Sequence, residues 1–576
     1  MNRNTIIGLI VIFAIFIGWS IWMRPSKEEL EAQKRHQDSL IMVQRKIDSL
    51  NIVERIMQQE RIQEEQQVLK DTVTVDIPIT EEFQIDRSKY GVFANSSIGE
   101  NKFYTLENDL IKIVISDKGG RVYSVELKDY QTYDTLPLIL FDSDTSVFGL
   151  LFYANNKIIF SNDFYFHPYI NGEPYSGPDS LIATDGDSLR FSMRLFTDAS
   201  DPAFNPGQYI EFTYTIRSSD YMVGFNINIV GLKDIISTRG NLIDLSWNTS
   251  LRKQEKSVDR YNAPTIYYQF YNGDVDYLSE TKDDEESFTD KLKWVSFKQR
   301  FFSSTIIAKD YFVNPVLEVF TDPNPHSERY LKSMKATLGI LYDGLGDRDY
   351  DFSFYFGPNQ YYTMRAYHLD LERQIPLGWS FFLMQWINRF AVIPVFTYLG
   401  TFGWNYGIII LVLTILLKIL LFPIAYKTYK SSAKMRVLKP EVDELGKKFP
   451  KKEDAMKKQK AVMALYKKAG VNPMAGCIPM LLQFPILIAM FRFFPSSIEL
   501  RQQPFLWATD LSSYDSILNL PFNIPFYGSH VSLFTLLMTV STIIYTRINN
   551  QMMGASSQQM PGMKMMMYLM PVMFLG

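Results

Sequence analysis

The sequence predicts a multi-pass α-helical membrane protein with a large all-β domain, an antiparallel β-sandwich, on the outer side of the bilayer. Three observations carry that expectation. Long uncharged runs lie near the start and in the last third of the chain. Between residues 100 and 365 the texture is that of short strands and turns. A dense block of positive charge, residues 427–468, then sets which side of the membrane is which.

At 576 residues, several units are expected rather than one. The mean hydropathy of -0.08 resembles a soluble protein's only because polar and greasy segments average out. A net charge of -3 gives no overall attraction to nucleic acid, so the distribution of charge matters more than its sum. The single cysteine, Cys477, rules out an intrachain disulfide and a cysteine-based metal cluster. His36, His167, His326, His368 and His530 are scattered, and no HExxH, GxSxG, GxxxxGK or GxGxxG pattern occurs. No catalytic residue, metal site or cofactor is therefore expected.

Residues 1–24 read as an N-terminal transmembrane anchor. Thr5–Met23 is uncharged and long enough to span the hydrocarbon core as a helix. Trp19 and Trp22 suit the far interface, and Arg24-Pro25 closes the run without the small-residue end of a cleaved signal. Residues 25–99 form a polar helical spacer. Leu40, Val43, Ile47 and Leu50 make a short 3-4-3 seam that then slips, so a solvated spacer and a partner coiled coil both fit.

The sandwich is assigned to residues 100–365. Leu110–Ile115 is apolar and β-rich and precedes the turn signal Asp117-Lys118-Gly119-Gly120. Further strands are expected at Tyr209–Thr215, Met222–Ile229 and Phe352–Phe356. Without helical interludes, strands this short stack as an antiparallel sandwich. Residues 366–403 follow as an interfacial amphipathic segment, in which Trp379, Phe381, Phe382, Trp386 and Ile387 mix with Gln385, Asn388 and Arg389. A helix that simply caps the sandwich fits the same pattern.

Residues 404–576 are the membrane core, with spans expected at about 406–426, 478–494 and 531–546 and a fourth beginning near 565. The sequence breaks off at Gly576, about ten residues into that last run, which reads as a truncated span. From Lys427 to Lys468 there are fourteen Lys or Arg against five acids, a net charge of +9. The positive-inside rule then puts this segment and the N-terminus in the cytoplasm, with residues about 24–404 outside. Residues 427–469 should form a helical hairpin, Lys427–Phe449 and Lys451–Ala469, broken at Phe449-Pro450. Its basic residues, Lys434, Arg436, Lys439, Lys457 and Lys458 among them, suit acidic partners such as ribosomal RNA, headgroups or nascent chain, and equally an ordinary topology-setting loop.

Lys418 interrupts the span 406–426 eight residues before Tyr426, about 12 Å inside its cytoplasmic end. A lysine near a helix centre costs about 2.5–3.5 kcal/mol on insertion. That cost is tolerable when the ammonium meets water, an anion or polar groups; a snorkelling lysine is the plainer alternative. Thr414 lies on the same helix face and Gln483 is available from the next span, which together point to a wet, positive cavity.

Several short motifs recur in order: Trp404-Asn405-Tyr406-Gly407, Ser432–Arg436, Leu438-Lys439-Pro440, Ala464–Lys467, Val471-Asn472-Pro473, Gly476–Pro479, Gln483–Ile486, Glu499-Leu500-Arg501, Pro504–Trp507, Asp510-Leu511-Ser512 and Met570-Pro571-Val572. This series closely resembles the YidC family of membrane insertases, kin to the mitochondrial oxidase-assembly and chloroplast insertases, over 404–576. Gly119–Val122, Leu127–Tyr130, Trp294-Val295 and Gly357-Pro358 more loosely resemble the periplasmic sandwich of the long Gram-negative type, which is similar in fold to sugar mutarotases.

The resemblance implies an inner-membrane insertase and chaperone whose core forms a hydrophilic groove open to cytoplasm and lipid but closed on the outer side. Lys418, with Thr414 and Gln483, would receive the acidic tail of a nascent membrane protein. The Sec translocon and the ribosome would be partners, and no small-molecule substrate is implied. The family commonly has arginine where Lys418 stands, so the charge is kept and the bidentate fork lost. A small-solute transporter or channel would show repeated halves and several intramembrane charges, and an enzyme on the sandwich would need a carboxylate or histidine pair; neither pattern is evident in the sequence.

Overall fold

The computed structural model describes residues 86–552 except 142–145, 185, 199–205, 238–240, 257–262, 322–329, 379–381, 450–454, 471–477 and 525–527. The expected anchor, the spacer up to residue 85, Val471-Asn472-Pro473, Cys477 and the run near 565 lie outside the described residues; the end of the spacer is helical at Arg87–Tyr90 and Gly91–Ser97. The described residues, Ser287 and those adjoining it to 289 apart, belong to one compact unit.

Strand texture becomes strand structure at every position the pattern marked. Ile111–Ser116, Tyr209–Arg217, Met222–Val230 and Arg348–Pro358 are strands. One sheet of five strands runs in the order Pro137–Ile139, Arg121–Gln131, Ile111–Ser116, Phe103–Glu107, Ser180–Ile182. Its last pair is parallel; the others are antiparallel. Gly119 and Gly120, at φ 83° and 60°, make the turn between two of these strands. A Cβ on Gly120 would sit 2.7 Å from the Phe166 ring, so both the backbone sign and the space demand glycine.

The larger sheet is antiparallel along its main path. That path passes from Val147–Ala154 through Leu242–Arg252, Tyr330–Leu341, Phe302–Thr321, Arg348–Pro358, Met222–Val230 and Tyr209–Arg217 to Ser188–Phe196. The long strand Phe302–Thr321 changes partner midway. Phe302–Ala308 pairs with Arg348–Pro358, and after a register shift between Val313 and Val316 its second half pairs with Tyr330–Leu341. Bulges of this kind bend a strand and let one strand serve two sheet regions.

Aromatic rings fill the space enclosed by the sheets. Phe225 touches Phe148, Phe212, Tyr214 and Phe354, and Trp247 stacks on Phe297 at 4.1 Å. These side chains are buried. Alternation explains their direction: in Met222–Val230 and Leu242–Arg252 every second residue is buried, as the strand period requires.

Seven helices of note follow the sandwich. We label them α1 (Phe382–Ile387), α2 (Ile393–Gly400), α3 (Tyr406–Val437), α4 (Lys439–Lys448), α5 (Ala455–Lys468), α6 (Ile478–Phe493) and α7 (Leu533–Met552). A π-helical turn, Asn388–Val392, joins α1 to α2. One hydrophobic cluster runs through both parts of the protein. It contains Tyr267, Trp294, Ile307 and Tyr355 from the sandwich with Val392, Phe396, Ile409, Leu413 and Phe493 from the helices.

The hairpin departs from expectation in one respect. α3 does not stop near Tyr426 but continues to Val437, with Pro423 inside it. Its 32 residues reach about 48 Å, more than a bilayer core of about 30 Å needs. The first break falls at Leu438, where Pro440 occupies the opening turn of α4 and cannot donate a backbone N–H to a continuing helix. The second break, after Lys448, is where Phe449-Pro450 was expected to place it.

Phe225→Ala should cost about 3–5 kcal/mol, because the ring is buried and packed on all sides. Leu345→Ala, on an 82% exposed side chain, should stay within about 0.5 kcal/mol. Denaturant unfolding of the purified protein, followed by tryptophan fluorescence, measures both.

Candidate functional site

The site is built on α3, α6 and α7. Asn405 caps α3 by accepting a hydrogen bond from the Gly407 N–H at 2.9 Å, which satisfies one of the helix's unpaired donors. Its Nδ2 also donates to the Pro504 carbonyl at 2.7 Å, tying the helix start to the connector between α6 and α7. Phe505 from that connector lies directly on Gly407, where a Cβ would be 2.1 Å from the ring. The glycine is there for close approach.

Along α3, Ile409 and Leu413 are buried and Ile410 and Leu417 pack beside them. Ile408, Leu411, Ile415, Leu416, Ile419, Leu420 and Phe422 are exposed, and Leu421 and Ile424 are half-buried. A surface this apolar needs an apolar surrounding. Among the described residues, α3 is the helix long and apolar enough to cross a membrane; the apolar stretch of α7, Leu533–Ile548, is shorter.

Lys418 interrupts that surface and is itself exposed. Its Nζ donates to Gln483 Oε1 of α6 at 3.3 Å, so the two residues singled out from different spans do meet. Thr414 behaves differently. Its hydroxyl donates to the Ile410 carbonyl at 2.8 Å, back into its own helix, and makes no bond to Lys418. It still lies one turn from the lysine and is exposed on the same side. The hairpin residues Lys434, Arg436, Lys439 and Lys457 are exposed and Lys458 is half-buried, on α3, α4 and α5.

Pattern reading missed how the segment before α3 is fastened. Asn388, fully buried at the π turn, donates to the Leu377 carbonyl at 2.7 Å and to the Ala489 carbonyl of α6 at 2.8 Å. Arg389 donates from Nε to the Tyr361 hydroxyl at 2.8 Å and approaches Glu372 at 3.5 Å. On the opposite side Trp386, Phe390 and Tyr398 are exposed, and Phe402 and Trp404 continue the aromatic surface. The segment thus both caps the sandwich and presents rings outward. Polar residues within an apolar segment were the available signal, but a period cannot name their partners.

The connector between α6 and α7 is also fixed by polar groups. Asp515 accepts from the Trp507 indole N–H at 2.9 Å and from the Phe534 N–H at 3.0 Å, satisfying an orphan donor at the start of α7. Arg501 pairs with Glu255 of the sandwich at 2.8 Å, both buried. Burial pushes the Glu255 carboxyl above its ordinary range, and the Arg501 guanidinium opposes that shift. Among the described residues no group of His, Cys, Asp and Glu is arranged to hold a metal ion.

Comparison with known proteins matches nearly all of the described chain. The family model described as the 60Kd inner membrane protein matches residues 397–576, and that of the YidC periplasmic domain matches 104–390. A Parabacteroides distasonis protein called membrane protein insertase YidC is 41% identical over 591 aligned residues, covering 100% of this chain and 88% of the relative. The Bacteroides fragilis protein of the same name is 40% identical over 584, covering 100% and 87%. A crystal structure of an active YidC insertase with its first transmembrane domain resolved is 17% identical and covers 83% of this chain and 88% of its own, at a TM-score of 0.29, too low to bear on the fold.

Gly407→Val should displace Phe505 and cost about 1–3 kcal/mol, since the added atoms have no room. Gly346→Ala, with nothing within 4 Å of the added Cβ, should be neutral to about 0.5 kcal/mol. Thermal unfolding in detergent compares them.

Proposed function

The chain belongs to the YidC family of membrane protein insertases, and from that premise we propose that insertion proceeds through a hydrophilic intramembrane groove whose charge is Lys418. The observation that carries the proposal is the bond from the Lys418 ammonium to Gln483 across two apolar helices. An amide oxygen is a neutral partner. It orients the ammonium and leaves its charge available to an anion.

The protein is an inner-membrane protein and its clients are nascent membrane proteins. In the proposed mechanism the polar, acidic tail of a client enters the groove from the cytoplasm. At an effective dielectric constant of about 20, an ammonium and a carboxylate about 4 Å apart attract by about 4 kcal/mol. That exceeds the roughly 1.4 kcal/mol worth a factor of ten in rate, so one charge is enough to matter. The tail then has a shorter apolar path to cross, and the hydrophobic segment behind it partitions into lipid. No nucleotide hydrolysis by the chain is involved.

The same reading places residues 427–469 in the cytoplasm on their net positive charge, and residues about 24–404 in the periplasm. Lys434, Arg436, Lys439, Lys457 and Lys458 offer a basic surface to the ribosome, to nascent chains or to anionic headgroups. The exposed rings of Trp386, Phe390 and Tyr398 suit the membrane–water interface. Clients that need the Sec translocon would be folded beside it, and others inserted directly.

The test uses full-length protein in liposomes and a single-span client with an acidic translocated tail, scored by protease protection. Lys418→Arg should match wild type, because the charge is retained. Lys418→Leu should lower protection at least about tenfold. Equal insertion by Lys418→Leu would remove Lys418 from the mechanism.

A further inference from the structure

Away from Lys418, the sandwich and the connector between α6 and α7 meet through buried charge. Arg501, 6% exposed, donates from Nε to Glu255 Oε1 at 2.8 Å, and Glu255 is 7% exposed. The Arg501 Nη2 donates to the Gln131 carbonyl, and its guanidinium lies 5.1 Å from the Phe302 ring centre. Arg300, at the foot of the strand Phe302–Thr321, reaches the other way. Its Nε and Nη2 donate to the carbonyls of Pro495 and Ser512, each at 2.8 Å. Gln502 adds a bond from Nε2 to the Thr132 carbonyl at 2.9 Å.

The connector's opposite side rests on the helices. Pro504 accepts from the Asn405 cap of α3, Phe505 covers Gly407, and Asp515 bonds to the start of α7. The segment is therefore held between sandwich and helix ends, over the ends of α3 and α7 remote from the basic hairpin.

We propose that Glu255, Arg300 and Arg501 are positioning residues for insertion: they hold the connector as a seal over the outer end of the Lys418 groove. The inference rests on the groove proposed above. Apolar contacts between sandwich and helices supply adhesion but little direction. Arginine forks aimed at a carboxylate and at backbone carbonyls fix one register. Deleting one member of a buried pair strands the other charge, so loss of engagement is steep rather than gradual. A seal of this kind lets a polar tail enter from the cytoplasm without opening an aqueous path through the membrane.

The experiment uses full-length protein in liposomes with Cys477→Ser as background. Spin labels at Leu345→Cys and Leu506→Cys, both exposed positions, report the distance between sandwich and connector. In parallel, Thr414→Cys is treated with a membrane-impermeant maleimide from the outer side. The native pair should give one narrow distance distribution and slow alkylation. Arg501→Met, which strands Glu255, should broaden the distribution and speed alkylation at least about tenfold. Glu255→Met/Arg501→Met, which removes both charges while keeping similar volume, should return both readings to near the native values.

A narrow distribution and slow alkylation in Arg501→Met would overturn the seal. Loosening that the double variant does not reverse would also overturn it, since the side chain's bulk rather than the ion pair would then be responsible. Client insertion by the native pair is scored in matching vesicles that keep Thr414. Its failure, with the label results as expected, would sink the groove while leaving the latch in place.

Discussion

A positive charge inside the apolar stretch of α3, residues 406–426, is the constraint to which the rest of this protein answers. Lysine at that depth costs about 2.5–3.5 kcal/mol, and the structure meets the cost with polar company rather than an acid. Gln483 on α6 accepts from Lys418, and Thr414 stands one turn away. A neutral amide orients the Lys418 side chain without pairing it to an opposite charge. An acid in place of Gln483 would be more stabilising for the resting protein and would compete with every incoming carboxylate.

Such an arrangement demands a stable frame, because α3 makes few packed contacts of its own. Ile409 and Leu413 alone are fully buried among its large apolar side chains in the span. The frame is the continuous cluster from Trp294 and Tyr355 to Phe396 and Phe493. Directional bonds are laid over it: Trp294 donates its indole N–H to Leu369, Asn388 ties the π turn to α6, and Arg300 grips the connector. Apolar area supplies most of the attraction and the polar bonds select the register. The sandwich is thus structurally continuous with the helices.

Much of this was legible in the sequence, and what was not has a common cause. Alternation placed the strands at Tyr209–Arg217 and Met222–Val230 to within two residues at their ends, and charge in an apolar run marked Lys418 and its partner Gln483. The extent of α3 was not legible, because the apolar run gives way to the basic segment at Lys427 and the span was read as ending near Tyr426, whereas the helix persists until Pro440 forces a break. Thr414 was placed on the correct side, but its hydroxyl has a carbonyl within reach in its own helix. The partners of Asn388, Arg300 and Arg501 are invisible to any local pattern. Glu255 and Arg501 are 246 residues apart in sequence and meet only in the folded chain.

Reactivity of single cysteines along α3 toward a water-soluble thiol reagent, in membranes with the cytoplasmic side accessible, tests the wet groove most directly. With Cys477 replaced by serine, Thr414→Cys and Lys418→Cys should react readily, while Leu416→Cys and Ile419→Cys, at exposed apolar positions turned away from Lys418 around the helix, should stay silent. Silence at all four positions, or equal reaction at all four, would contradict a polar groove centred on Lys418.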